Sequence, residues 1–532
     1  MRVRLLILSL VLCVGCAKPK PVVTPQTATT TTTAVAQLQR ELAAAFDNPS
    51  VNALWAVQIQ SFDTGEVLFE RNAHTLVMPA SNMKLLTMSV AATRLGWDFK
   101  FSTQIATDGT VDAGTLTGDL IVVGNGDPTI SDRGGDATRV FQAWADQLRA
   151  QGITHITGRI VGDDDWLDDQ PLGDGWAWDD LVYGYSTAGG ALQFNEDVVK
   201  AIVHPGAAVG QPATVTLDPA GSGLTVRGTV TTTAATVNAD VSISRRPGSS
   251  VVDINGTVPL AGPMTGRDYA QTLAVENPTQ FYVNVLRDVL VRKGIAVDGA
   301  AVDIDDVPAS DAAHALDRRR VLFTHQSPSL ESDEVGKAFM KVSQNLFGET
   351  LMQTVGAMGA AAAPAATATA KHHHAEAARK IYEDVLSSWG IPPSEHIIVD
   401  GSGLSRYNYI TANLIVHILR AMARDPKNAA TFEALLPIAG KDGTLRNRMK
   451  GTKAEGNVHA KTGTLAAVRS LSGYLRTADG ERIGFSIIAN NFKAPSAIVD
   501  GIAELAVERL SNFTRAAPLQ APAPAAPPPA AR

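Results

Sequence analysis

The chain has 532 residues, 45% of them hydrophobic and 19% charged, with a net charge of -7. That is ordinary globular composition, long enough for about three domains, and neither the charge nor any basic patch suits a polyanion such as a nucleic acid. Both cysteines, Cys13 and Cys16, sit at the extreme N-terminus, which excludes a disulfide framework, a cysteine-based zinc site and a cysteine nucleophile in the folded body.

Met1 to Gly15 reads as a secretory signal. Arg2 and Arg4 form a positive start, and Leu5 to Val14 is an apolar run broken only by Ser9. That run is too short to span a bilayer, and no later stretch approaches about 18 uninterrupted apolar residues. Leu12-Cys13-Val14-Gly15-Cys16 resembles a bacterial lipoprotein box, with Cys13 where that motif usually has Leu. Residues 1–16 are therefore read as signal peptide and lipobox, with Cys16 the lipidated first residue of the mature chain. An ordinary cleaved signal is the alternative. Residues 17–35, rich in Thr, Pro and Ala, read as a disordered tether.

The body opens with helical spacing at Leu38, Leu42 and Phe46. Two strand-like runs follow, Leu54 to Ile59 and Val67 to Glu70, joined by a turn at Asp63-Thr64-Gly65. Pro79, Ala80 and Ser81 then precede an apolar run to Leu95, the pattern of a helix start. From Phe101 to about Pro263, Val, Thr and Gly dominate in short runs such as Thr214 to Leu217, Gly223 to Val230 and Val241 to Ser244. This predicts a mostly β insertion over residues 104–266, with a second domain nested in it. Gly124-Asn125-Gly126-Asp127-Pro128 reads as a turn, because Pro128 falls where a dinucleotide-binding helix would open.

Helical periodicity returns over Phe281 to Lys293, Glu334 to Met352, Tyr382 to Trp389 and Thr411 to Ala423. Val458 to Thr462, Ser470 to Leu475 and Ile483 to Asn490 read as successive antiparallel strands, and Ser496 to Leu510 as a closing helix. The fold class is α+β, with residues 36–103 and 267–514 forming one domain around the insertion. Residues 358–375 form an Ala/His-rich insertion ending near His372, His373 and His374. Adjacent helical positions point in different directions, so these histidines make poor joint metal ligands and read as a solvated helix start. Residues 515–532, almost wholly Ala and Pro, read as a disordered tail.

Three short motifs occur in order: Ser81-Asn82-Met83-Lys84, Ser343-Gln344-Asn345 and Lys461-Thr462-Gly463. Each alone is weak, but their order and context make a joint signature of active-site serine acyl transfer. A serine hydroxyl needs an adjacent base. On a helix, positions i and i+3 share a face, so the Lys84 amine can sit beside Ser81 Oγ. The helix N-terminus, burial and the second cation Lys461 should lower the Lys84 pKa and leave it able to accept a proton. Ser343 could pass a proton to the leaving amine, and Asn345 could hydrogen-bond the acyl-chain amide. Lys461, Thr462 and Thr464 lie on a predicted edge strand, where an extended peptide can add and a substrate carboxylate can be held. The oxyanion needs backbone donors, here assigned to the Ser81 and Thr464 amides.

On these motifs the chain resembles the class C low-molecular-mass penicillin-binding proteins, the D-alanyl-D-alanine carboxypeptidase/endopeptidase family, over roughly residues 37 to 513. Met78 to Thr87, Gly124 to Pro128, Gly175 to Leu181, Asp400 to Arg406 and His459 to Leu465 carry the likeness. Ser343 lies 262 positions after Ser81, far more than in a serine β-lactamase. Gln344 departs from the family's usual Asp. The resemblance implies a penicillin-binding/β-lactamase-like transpeptidase domain acting on peptidoglycan stem peptides, inhibited by β-lactam antibiotics, with no cofactor or metal. Its implied catalytic residues are Ser81, Lys84, Ser343, Asn345 and Lys461, with Thr462, Gly463 and Thr464 binding substrate. It also implies an acidic residue in the insertion that recognises the amine of the stem-peptide diamino acid. Asp163, in Gly162-Asp163-Asp164-Asp165-Trp166, is the nearest match, and a solvated acidic loop is the alternative. A β-lactamase or esterase on the same scaffold, and a non-catalytic peptidoglycan-binding lipoprotein, are the rival functions. The expected location is the periplasm or cell envelope, with membrane contact only through Cys16.

Overall fold

The computed structural model describes residues 26–168, 172–260, 268–361 and 374–515. An antiparallel sheet at its centre has the strand order Val67–Arg71, Leu54–Ser61, Arg482–Asn490, Val468–Arg476, His459–Leu465. The three late strands fall where sequence alternation and apolar runs placed them. Leu54–Ser61 is buried at every position after its first rather than at alternate ones, because helices cover both faces of the sheet. On one face, Leu38, Leu42, Phe46, Val507 and Leu510 pack onto Val57, Ile59, Leu471 and Ile487. On the other, Ala412 of helix Ala412–Arg424 meets Ala56 and Ile488. Each large apolar side chain so buried contributes on the order of 2 kcal/mol.

The first helix runs from Gln26 to Phe46, so the part of the expected tether from 26 to 35 is helical instead. Val35 continues the Leu38, Leu42, Phe46 stripe into the core. Once that stripe is docked, each further residue adds a hydrogen bond without a new nucleus, which offsets the poor helix propensity of the Thr run. Residues 1–25, with Cys16, and residues 516–532 lie outside the described residues, as do His372 and His373.

The helix Met83–Arg94 is buried without interruption from Met83 to Ala92. Leu85, Leu86 and Met88 share a cluster with Phe347, Leu351, Tyr382, Leu386, Leu414 and Ile418 of three surrounding helices. Lys84 is the one charged side chain in that buried stretch.

The insertion is larger than the sequence pattern indicated. Its two crossover strands, Lys100–Thr107 and Arg320–Ser329, pair antiparallel at the edge of a five-stranded sheet completed by Leu120–Val123, Ile160–Asp163 and Ala301–Asp303. Helix Pro278–Arg292, expected in the domain around the insertion, puts Phe281, Tyr282, Leu286 and Leu290 into the same core as Phe141, Trp144 and Phe194. The chain therefore re-enters the domain of the central sheet near Leu330 rather than at 267. Helical periodicity marked the helix correctly but could not say which core its apolar face meets. The nested part is all β, with Val251–Pro259 central to Thr225–Arg227, Val230–Thr233 and Asp240–Arg245. Gly124 to Pro128 opens no helix, as expected, but it is an irregular segment bent at Asn125 rather than a hydrogen-bonded turn: Gly126 N donates to Ala191 O, Asn125 Oδ1 accepts from Ser102 N and Asp127 Oδ1 from Thr129 N.

The helix expected over Glu334 to Met352 is two helices. Asp333–Val342 is a wide i→i+5 helix that stops at Ser343, whose φ is +70°. The chain then restarts as Asn345–Ala361. The break turns the second motif out of the helix and into the cleft.

Candidate active site

Ser81 lies in a single tight turn, Ala80–Asn82, immediately before the buried helix. Two glycines let backbone close around that turn. A Cβ on Gly403 would lie 1.9 Å from Ala80 O, and one on Gly463 would lie 2.9 Å from Ser81 N. Gly463 thus lets the edge strand His459–Leu465 run against the amide of Ser81, and places Thr464 beside it.

Lys84 Nζ is 3.0 Å from Ser81 Oγ, 2.6 Å from Asn345 Oδ1 and 2.7 Å from Ser402 O. The last two are acceptors only. A neutral amine gives its two hydrogens to them and turns its lone pair to the Ser81 hydroxyl. Burial lowers the Lys84 pKa to about 7, against the opposing pull of Asp400 and Glu349. Of the expected causes, desolvation dominates at Lys84, and the neighbouring-cation effect falls on Lys461. Burial first, then the Lys84 charge, holds Lys461 well below its ordinary range. Lys461 Nζ donates to Ser343 Oγ (2.7 Å) and Thr462 O (2.9 Å).

The structure thus brings Ser81, Lys84, Ser343, Asn345, Lys461 and Gly463 to one cleft. Thr462 Oγ1 donates to Thr444 Oγ1 (2.8 Å), and Thr464 is exposed on the edge strand. One expectation changes, that for Asp163. Asn345, expected to hydrogen-bond the acyl-chain amide, stands beside the base: its Oδ1 accepts from Lys84 and its Nδ2 donates to Tyr185 O (2.8 Å). It orients the base and ties the insertion to the cleft. Asp163 is buried and ion-paired with Arg319, whose Nε and Nη2 hold Ala313 O. Its carboxylate is closed inside the inserted domain and does not face a substrate amine. The triple Asp run gave no sign of which carboxylate would meet an Arg 156 positions away.

Other residues had no role in the sequence reading. Glu349 accepts from Gly401 N (3.2 Å) and Ser402 N (2.9 Å), so it fixes the backbone leading into Ser402, whose carbonyl contacts Lys84. Burial, then Asp400, raises its pKa to about 8. Asp400 accepts from Gly403 N, Ser405 N, Asn408 Nδ2 and, at 3.0 Å, Trp176 Nε1. A signal existed for Glu349: it is the one charged residue in the helix Asn345–Ala361, four positions after Asn345 and so on the same face. His374 begins the helix after the Ala-rich stretch, and its backbone N–H donates to Asp168 Oδ1 (3.0 Å).

Comparison with known proteins fits this geometry. The family model described as D-Ala-D-Ala carboxypeptidase 3 (S13) matches residues 38–509. A D-alanyl-D-alanine carboxypeptidase of an Actinomadura species is 33% identical over 497 residues, 90% of this chain and 86% of that protein. A penicillin-sensitive carboxypeptidase A of Dictyostelium discoideum is 27% identical, covering 84% of both chains. Among solved structures, penicillin binding protein 4 of Haemophilus influenzae shares the fold with a TM-score of 0.73 at 22% identity, over 90% of this chain and 99% of that one. With the family model spanning both segments of the peptidase domain and the insertion between them, the chain belongs to the D-Ala-D-Ala carboxypeptidase 3 (S13) family.

Proposed function

We infer that this protein is a serine D,D-peptidase of peptidoglycan stem peptides, with Ser81 as the nucleophile and Lys84 as its base. The observation that carries this reading is the Lys84 amine, wholly buried, 3.0 Å from Ser81 Oγ, with a pKa near 7. Ser81 Oγ attacks the carbonyl carbon between two D-Ala residues, and its proton passes to Lys84. The Ser81 and Thr464 amides receive the oxyanion. The C–N bond then breaks, the leaving amine takes a proton by way of Ser343, held by Lys461, and an ester on Ser81 remains. Water hydrolyses that ester. Thr462 and Thr464 suit the free carboxylate of the leaving D-Ala. The same acyl transfer applied to a cross-link makes the enzyme an endopeptidase, and a β-lactam acylates Ser81 in place of peptide.

The test is labelling with a fluorescent penicillin beside Ser81→Ala. A long-lived adduct lost in the variant supports the reading. Rapid release would favour a β-lactamase, and no labelling of folded protein would favour a non-catalytic binding protein. The signal-like start supports export to the cell envelope and anchoring through Cys16. Metabolic fatty-acid labelling that survives Cys16→Ala would refute the anchor.

A further inference from the structure

The inserted domain touches the second motif at its middle residue. Gln344 Nε2 donates to the Glu196 carboxylate. Arg133 grips the same carboxylate through Nε and, at 2.8 Å, through Nη2. The Glu196 side chain is only 9% exposed. Gln344 Oε1 in turn accepts from Asn345 N (2.8 Å), at the start of the following helix. One amide therefore needs both its donor and its acceptor end. An ionised Asp, the residue expected from the family pattern, has acceptors only and would set two carboxylates against each other.

The backbone under Glu196 is unusual. Asn195, Glu196 and Asp197 have φ of +54°, +58° and +56°. Left-handed residues other than glycine occur singly as a rule, and such conformations persist only where the surroundings over-determine them. Here they do. Asn195 Oδ1 accepts from Asp132 N (3.2 Å), Asn195 Nδ2 donates to Val198 O (3.0 Å), and Asp197 Oδ1 accepts from Phe194 N (3.1 Å). The strained turn carries Glu196 to Gln344.

We propose that Glu196, clamped by Arg133, is a positioning residue for the reaction. It fixes Gln344, and through Gln344 it holds the left-handed turn that aims Ser343 at Lys461 and Asn345 at Lys84. The inserted domain thereby sets the geometry of the catalytic cleft. This rests on the reading of Ser343 and Asn345 as catalytic.

The experiment uses the full chain with Gln344→Asp, Glu196→Gln, the two together, Glu196→Ala, and Ser343→Ala as a reference. Penicillin acylation rates, kcat and KM on a D-Ala-D-Ala peptide, and Tm are measured, with active sites counted by penicillin titration. Gln344→Asp should slow acylation about ten- to hundred-fold per active site, in kcat rather than KM. Adding Glu196→Gln restores a donor opposite the new carboxylate and should recover most of that loss. Glu196→Ala, which leaves Gln344 without its acceptor, should lose about tenfold. A merely structural role would lower Tm or the count of active sites and leave the rate per site alone. Wild-type rates per site in Gln344→Asp and Glu196→Ala overturn the proposal. So does a double variant no faster than Gln344→Asp alone. If Ser343→Ala loses acylation while the Glu196 variants do not, the clamp fails by itself. If Ser343→Ala loses nothing, the catalytic assignment of the second motif fails and the clamp goes with it.

Discussion

Two regions of this molecule bury charge in opposite ways. In the inserted domain, Arg319 and Asp163 are 9% and 5% exposed and touch each other. Arg319 gives its other donors to the Ala313 carbonyl. The charges cancel within one contact, and the result is a structural joint. In the cleft, Lys84 and Lys461 are fully buried, and the hydrogen-bond partners of both are hydroxyls, an amide oxygen and backbone carbonyls. The carboxyl group of Glu349 stands one peptide away, behind the Ser402 backbone. Burial without a direct counter-ion favours loss of the proton. Paired burial makes a strut, whereas unpaired burial makes a base, and perturbed groups of the second kind cluster where chemistry occurs.

Removing each charge should therefore have opposite consequences. Lys84→Met should cut penicillin acylation on the order of 10^4-fold, the scale at which loss of a nucleophile's base is felt. Lys84→Arg should do the same, because a guanidinium keeps its proton. In thermal melts, Lys84→Met should be as stable as the parent or more so, since it replaces an isolated buried amine with an apolar chain of similar length. Residual acylation within tenfold of the parent would remove Lys84 from the base role. Arg319→Met should behave in the reverse sense. It leaves Asp163 buried and unpaired, which costs about 3–5 kcal/mol in denaturant unfolding, while acylation per folded molecule is unchanged. A slower rate per folded molecule would mean that the Asp163 joint does act on the cleft.

The sequence carried the cleft more legibly than the joint for a physical reason. Ser81 and Lys84 are three residues apart on one turn, so local geometry alone brings them together. Lys461 and Gly463 alternate along one edge strand, where a period of two fixes the face. Asp163 and Arg319 are 156 positions apart, and nothing local marks either one for the other. The same limit explains the misplaced boundary. The apolar stripe of Pro278–Arg292 is visible in the sequence, but its partners Phe141 and Phe194 are far away along the chain. It also explains Ser343. A helical period runs through it from Glu334 to Met352, and the left-handed turn that breaks the period is fixed by tertiary contacts, among them the bond from Lys461.

The finest test concerns the carboxylate behind Ser402. A base must be neutral to act, so the rate of acylation should rise tenfold per pH unit below about 7 and level off above it, following Lys84. Glu349 pulls the Lys84 pKa upward when ionised. Burial and Asp400 raise its own pKa, so it is partly neutral while Lys84 titrates and that pull is weakened. Glu349→Gln copies the neutral form and retains an oxygen for one of the Gly401 and Ser402 amides. The ascending limb should therefore move to lower pH, by about a few tenths of a unit, with the plateau rate within a few-fold of the parent. A limb moved to higher pH would contradict the sign of the interaction. A shift of more than about one unit would mean that Glu349 is ionised beside Lys84 at neutral pH, and the cleft would then be a paired site like the joint in the inserted domain.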